Sequence, residues 1–244
     1  MVVKCLGCGD AFGSGGRFNT SYYLKTSSLG VLLDCGASTL IALKRENLST
    51  DDVDVIVISH LHGDHFGGLA FILCEILALE LRRKPLTIIG PEETKTRTEQ
   101  ALRCFFPGVE IKEDSGVEFV TYTKEEKLQF EGITIIAYPA IHSPDTHPHI
   151  LRIEADDQVI CFSGDTEWTE DLIRASQGSD LFICEASTYK TSVKHHMSVK
   201  QLLEQIKRIE TKNMILTHLG EDVLEHLDQI PFAVATDGAF LMGK

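Results

Sequence analysis

His60, His62, Asp64 and His65 fall within six consecutive positions of the stretch VIVISHLHGDHFGGL, residues 55–69. Imidazole nitrogens and carboxylate oxygens are the donors that catalytic zinc takes in sites with a position left open for water. Three imidazoles this close have few structural uses, because burying them unpaired costs desolvation free energy with no return. They begin where a run of β-branched apolar residues ends, and in sheets flanked by helices ligands bind beyond the carboxyl ends of the strands. Gly63 relaxes the backbone between donors, and Gly67 with Gly68 lets the chain pass close before a helix resumes.

The same arrangement recurs along the chain. AYPAI precedes His142, ICFSG precedes Asp165, MILT precedes His218, and LFIC runs into Glu185. A lone histidine after a strand is usually a surface residue, so the weight lies in the recurrence. Asp34, at the end of VLLD, has two open readings: it accepts a hydrogen bond from a ligand imidazole and fixes its tautomer, or it caps a turn with Gly36. His196 stands just before a helix start, where the positive end of the dipole disfavours an extra proton. Glu185 is the residue placed to counter that.

The elements that must position these groups are short apolar strands at 31–34, 53–58, 86–89, 133–141, 158–163, 181–184 and 214–217, and a hairpin over 232–241 folded at Asp237-Gly238. Helical patterns cover 68–83, apolar nearly all round, and 92–104, with a narrower stripe. In SVKQLLEQIKRIE, Ser198 and Gln201 form a capping-box signature ahead of a face of Val199, Leu202, Leu203, Ile206 and Ile209. Alternating strands and helices, with a strand-rich beginning and end, predict an α/β sandwich of sheets with helices outside. No linker or repeat divides residues 1–244, which read as a single domain.

An apolar content of 43% with 24% charged residues is ordinary for a globular enzyme. The formal charge of −13 disfavours broad nucleic-acid binding, which draws on Lys and Arg against phosphates. Arg82, Arg83 and Lys84 form the tight basic cluster, read as closing a helix at its negative end. There is no signal-peptide layout and no apolar run of membrane-crossing length, so a cytoplasmic protein without a membrane is expected. Seven cysteines, including Cys35, Cys74, Cys104, Cys161 and Cys184 near apolar stretches, read as reduced, buried thiols. Cys5-Leu-Gly-Cys8 has no second CxxC to complete a zinc site, and a structural role is favoured.

HLHGDH resembles the HxHxDH signature of the metallo-β-lactamase superfamily. LLDCG at 32–36, FSGDT at 162–166, ILTHLGE at 215–221 and TDGAFL at 236–241 follow in that superfamily's order. Within it the sequence is most similar to the ribonuclease Z branch of phosphodiesterases: LGCGDAFGSGGRFNTS resembles that branch's Gly-rich opening, CEAST its HEAT segment and His196-Met-Ser its HST motif. The resemblance implies a four-layer αββα sandwich and two divalent metal ions, zinc first, with manganese or iron admitted by the carboxylate-containing second site. It assigns His60, His62 and His142 to one metal, Asp64, His65 and His218 to the other, and Asp165 to both, roughly 3.5 to 4 Å apart, around a bridging hydroxide. Asp64, Glu185 and His196 are the implied catalytic residues, with Glu185 and His196 in contact and delivering a proton to the leaving alkoxide. A homodimer is implied as well.

One departure matters. In tRNA-processing members a long arm that grips the substrate is often inserted between the positions matching His142 and Asp165, and here only residues 143–164 separate them. A small phosphodiester or nucleotide is therefore expected, and whole tRNA is not. The alternatives are a tRNA 3′-processing endoribonuclease, an acyl hydrolase opening lactones, thioesters or β-lactams, and a non-catalytic metal-binding module. His147, His149 and His195 are given no role.

Overall fold

A computed structural model describes residues 1–79, 82 and 84–243. Strands β1 (Val2–Gly7), β2 (Ser21–Lys25), β3 (Gly30–Leu33), β4 (Val55–Val57), β5 (Leu86–Gly90) and β6 (Val117–Thr121) form the first sheet. Strands β7 (Lys127–Phe130), β8 (Ile133–Pro139), β9 (His149–Ala155), β10 (Gln158–Phe162), β11 (Leu181–Glu185), β12 (Met214–Thr217) and β13 (Ala233–Val234) form the second, and β14 (Phe240–Met242) returns to the first beside β1.

Period-two alternation explains why several strands read as continuous apolar runs. In β3, Val31 and Leu33 face the core between the sheets while Leu32 faces outward, and in β4 Val55 and Val57 face inward while Ile56 faces outward. The outward set packs under helices α1 (Thr39–Arg45), α2 (Gly63–Phe66), α3 (Gly68–Leu79) and α4 (Thr94–Phe105), with Leu69, Leu73 and Leu102 meeting Ile56 and Ile88. On the far face of the second sheet, α5 (Glu170–Ser176) and α6 (Val199–Gln205) bury Leu172 and Leu202 against Phe182 and Cys184. The short α7 (Glu221–Leu224) follows β12. Helix, sheet, sheet and helix make four layers, the αββα sandwich expected.

The Ser198 cap is present, its side chain accepting from the Gln201 N–H at 3.1 Å, but the helix tightens into a 3-10 turn after Gln205. The hairpin expected over 232–241 is not formed: β13 joins the second sheet and β14 the first. The turn signal was real, since Gly238 has φ 82°. The Asp237 carboxylate nevertheless accepts from the N–H groups of Cys8 at 3.1 Å and Phe18 at 2.8 Å, so the turn bridges layers.

The basic cluster also does something else than expected. Described helix α3 stops at Leu79, Arg83 lies outside the described residues, and the Arg82 guanidinium donates to the carbonyls of Thr50, Val53, Lys84 and Pro85. Lys84 pairs with Asp54 at 2.5 Å. Arg82 thus serves loop carbonyls and Lys84 a carboxylate, and neither contact is to a carbonyl of α3. The thiols are free, but Cys104 is exposed and Cys74 half-buried, which corrects the expectation for those two. Cys8 Sγ donates to Asp237 Oδ1 at 3.2 Å, a structural use of the CxxC. No helix among the described residues is long and apolar enough to cross a membrane.

Candidate metal centre

Strand direction brings the donors together. β8 runs antiparallel to β9 and β9 to β10, so β8 and β10 point the same way, and β11 and β12 lie parallel to β10. Their carboxyl ends therefore share one edge of the second sheet, and His142, Asp165, Glu185 and His218 stand there. From the first sheet β4 delivers Ser59 and His60, after which His62 caps α2 and Asp64 and His65 sit on its single turn.

Asp165 lies at the centre. Its Oδ2 is 3.4 Å from His218 Nε2, 3.7 Å from His60 Nε2 and 3.8 Å from His142 Nε2, and its Oδ1 is 3.2 Å from His65 Nε2. One group of donors is His60, His62, His142 and Asp165; the other is Asp64, His65, Asp165 and His218; within each group all donor atoms lie within 4.8 Å of one another. All seven side chains singled out as metal ligands are thus gathered, with Asp165 common to both groups.

The donor set fits a divalent metal. His60 Nε2, His65 Nε2 and Asp165 Oδ1 are buried without a hydrogen-bond partner, His65 and Asp165 being close but misaligned. Such orphaned atoms in a native interior call for a missing partner. The outer ring nitrogens explain why the inner ones are free. His142 Nδ1 donates to the His195 carbonyl at 2.7 Å, which leaves Nε2 a lone pair facing inward, 2.9 Å from His62 Nδ1. Ser59 Oγ gives its proton to Asp34 Oδ2 at 2.7 Å, so it accepts from His60 Nδ1 at 3.1 Å.

Charge balance makes the same demand. Burial alone would lower His65 and His218, yet Asp165 and Asp64 beside them push His65 well above the ordinary histidine value and His218 up to about 9. Burial pushes His142 down to about 4, and burial together with the neighbouring His65 holds His60 well below the ordinary value. The carboxylates of Asp64 and Asp165 stay ionised despite burial because these imidazoles surround them. The centre thus draws positive charge toward its carboxylates, and divalent cations would supply it in place of protons.

Asp34 takes the first of its two readings. Its Oδ2 accepts from His65 Nδ1 at 2.6 Å and from Ser59 Oγ–H at 2.7 Å, while its Oδ1 accepts from Ser59 N–H at 2.7 Å. Asp34 has φ 57°, a conformation that asparagine also tolerates. Asp34→Asn therefore keeps the backbone and removes the charge behind His65. We expect metal affinity to fall about 10- to 100-fold, measured by competition with a chromophoric chelator; an unchanged affinity would refute the orienting role.

Glu185 and His196 meet beside this centre. His196 Nδ1 is 3.2 Å from Glu185 Oε2, and the His196 ring stacks on His218 with centroids 5.4 Å apart. Glu185 is fully buried, and its Oε1 accepts from the Thr166 N–H at 2.5 Å. Burial raises the Glu185 carboxyl, and Glu185 in turn lifts His196 above the ordinary histidine value although burial works against it. Both shifts favour retention of a proton by the pair next to the donors. His147 and His149 are elsewhere: His147 Nε2 faces Glu93 at 3.4 Å and the His149 ring packs on Tyr122.

Three contributors went unread in the sequence. Ser59 sets the tautomer of His60, and the carbonyl of His195, held at φ 74°, orients His142. Asp10 is 7% exposed and shapes the Gly-rich loop at the mouth. Only the buried-strand position of Ser59, directly before His60, carried any signal.

Comparison with known proteins bears on the fold and the family. The ribonuclease Z of Agathobacter rectalis is 26% identical, with 88% of this chain and 86% of that protein covered. The metallo-β-lactamase fold protein YhfI of Bacillus subtilis superposes with a TM-score of 0.80 at 20% identity over 99% of each chain. A diphosphatase of the PhnP family superposes with a TM-score of 0.80 at 19% identity over 100% of this chain and 98% of the other. The fold is the metallo-β-lactamase sandwich, and the resemblance to the ribonuclease Z branch holds. A family model matches residues 1–235, and the chain belongs to the family described as Anti-Pycsar protein Apyc1.

Proposed function

We propose that the chain is a two-metal hydrolase of small phosphodiesters. The observation that carries this reading is the Glu185–His196 couple: the two side chains meet at 3.2 Å, and His196 stacks on His218 and opens on the same cavity as His62, Asp64 and Asp165. A diester leaves as an alkoxide or phenoxide, and a positioned acid at that oxygen accelerates departure. His60, His62, His142 and Asp165 would hold one cation and Asp64, His65, Asp165 and His218 the other. Bound there, the cations would polarise the phosphoryl oxygens and acidify a water. Zinc suits the His-rich group, and manganese or iron the carboxylate-bearing one.

Substrate size and charge follow from the cavity. It measures about 680 Å³, within the range of small-ligand pockets. Asp10, Glu221 and Asp222 line it, and among the described residues no Lys or Arg does. A polyanion such as tRNA gains nothing from such a wall, whereas a diester with a single negative charge loses little. Between His142 and Asp165 the chain forms only a 3-10 turn, Pro144–Thr146, and strands β9 and β10, which leaves no gripping arm.

The test is a panel run with zinc or manganese: bis(p-nitrophenyl) phosphate, nucleoside 3′,5′-cyclic monophosphates, a tRNA precursor, p-nitrophenyl acetate and a lactone. Diester kcat/KM is expected to exceed that for the acyl substrates by at least about tenfold, with no trimming of the precursor. Faster acyl cleavage would overturn the reading.

A further inference from the structure

The lip of the cavity carries Phe12 with 93% of its surface exposed, the most exposed large apolar side chain among the described residues. An aromatic ring in that position gains nothing from folding. Its placement is nevertheless fixed. The carboxylate of Asp10 accepts from the Phe12 N–H at 3.1 Å, from the Ser14 N–H at 2.9 Å and from Ser14 Oγ at 2.6 Å. Glu221 Oε1 holds the Gly15 N–H at 2.9 Å, which ties the loop to the opposite wall. Gly13, with φ 69°, and Gly15, with φ 64°, make the turn that a side chain would strain. Val193, 41% exposed, lines the same cavity. A hydrogen-bonded loop thus presents a bare ring at the entrance to the candidate metal centre, in a cavity that no Lys or Arg among the described residues lines.

We propose that Phe12 is a specificity-determining residue that stacks on the flat ring of a monoanionic phosphodiester, a nucleobase or an aryl group, while the diester itself sits at the metal centre. The proposal rests on the phosphodiester reading and adds the class of organic group selected. Base stacking on an aromatic side chain is sequence-tolerant because every base has a π-face, so the platform selects ring over no ring.

The test is an equilibrium titration of metal-loaded protein in a His196→Gln background, in which bound diester survives. The probes are a nucleoside 3′,5′-cyclic monophosphate, the matching ribose 3′,5′-cyclic phosphate without a base, and diphenyl phosphate, a bis-aryl diester whose phenoxide depends on the acid that this variant lacks. With Phe12 present the base-bearing ligand binds more tightly than the base-free one. Phe12→Ala reduces that ratio by roughly 5- to 100-fold, and Phe12→Trp restores it. The same loss with the bis-aryl diester marks a reader of any flat ring, and its absence marks a reader of nucleobases. A ratio unmoved by Phe12→Ala overturns the proposal, as does an equal loss for both cyclic phosphates accompanied by a change in oligomeric state, which would make Phe12 a subunit contact. Hydrolysis by the protein with His196 intact judges the underlying reading separately: a Phe12-dependent ratio without hydrolysis keeps the platform and removes the hydrolase.

Discussion

Replacement of Asp165 by asparagine is expected to strip both cations from the protein and to reduce diester kcat/KM by at least roughly a thousandfold, the equivalent of about 4 kcal/mol of lost transition-state stabilisation. No other side chain belongs to both donor groups. The carboxylate lies within 3.8 Å of four imidazole nitrogens from three strand ends and α2, so its charge is what those rings have in common. Asparagine keeps the volume and leaves the buried site with too little negative charge for two dications. His218, lifted to about 9 with Asp165 as the largest raising influence, would titrate lower in the variant. Elemental analysis of untagged protein and thermal melts with and without chelator check this together, because a bound metal stabilises by mass action. Two cations retained per chain in Asp165→Asn would sink the shared-ligand assignment.

The part of the site that lies within one short segment was readable from residues alone. His60, His62, Asp64 and His65 come from one strand end and one helical turn, so local spacing fixes their proximity. His142, Asp165, Glu185 and His218 each announced only a strand end. That four ends share one edge depends on β9 running back between β8 and β10, a pairing between distant segments that no local pattern encodes. The Asp237-Gly238 turn shows the opposite error. Its signal is local and correct, yet the strands it joins go to different sheets, β13 beside β12 and β14 beside β1, while the Asp237 side chain binds the N–H groups of Cys8 and Phe18. Asp10 stands in a Gly-rich stretch that gives no sign of its role, and its burial under three hydrogen bonds comes from the loop's fold. Alternation served the core well, since β3 and β4 are buried on both faces and their apolar runs say so.

His196→Gln is expected to lower kcat for phosphodiesters by about 10²- to 10⁴-fold, the usual worth of a positioned proton donor, while metal content stays at the wild-type level. His196 is not in either four-residue donor group; its Nδ1 faces Glu185 and its ring covers His218. The loss depends on the leaving group. A p-nitrophenolate departs with little help and an alkoxide needs the proton, so the variant should lose far more against alkyl-leaving diesters than against bis(p-nitrophenyl) phosphate. The pH profile carries a sign. Burial depresses His196 and Glu185 raises it, with the net shift upward, so the acid form persists above the ordinary histidine range of about 6.5. Activity therefore falls as pH rises through that elevated value. Glu185→Gln leaves burial unopposed by its charge and moves the alkaline limb to lower pH. Equal losses for good and poor leaving groups would show that His196 positions and does not donate, and loss of metal in His196→Gln would make it a ligand.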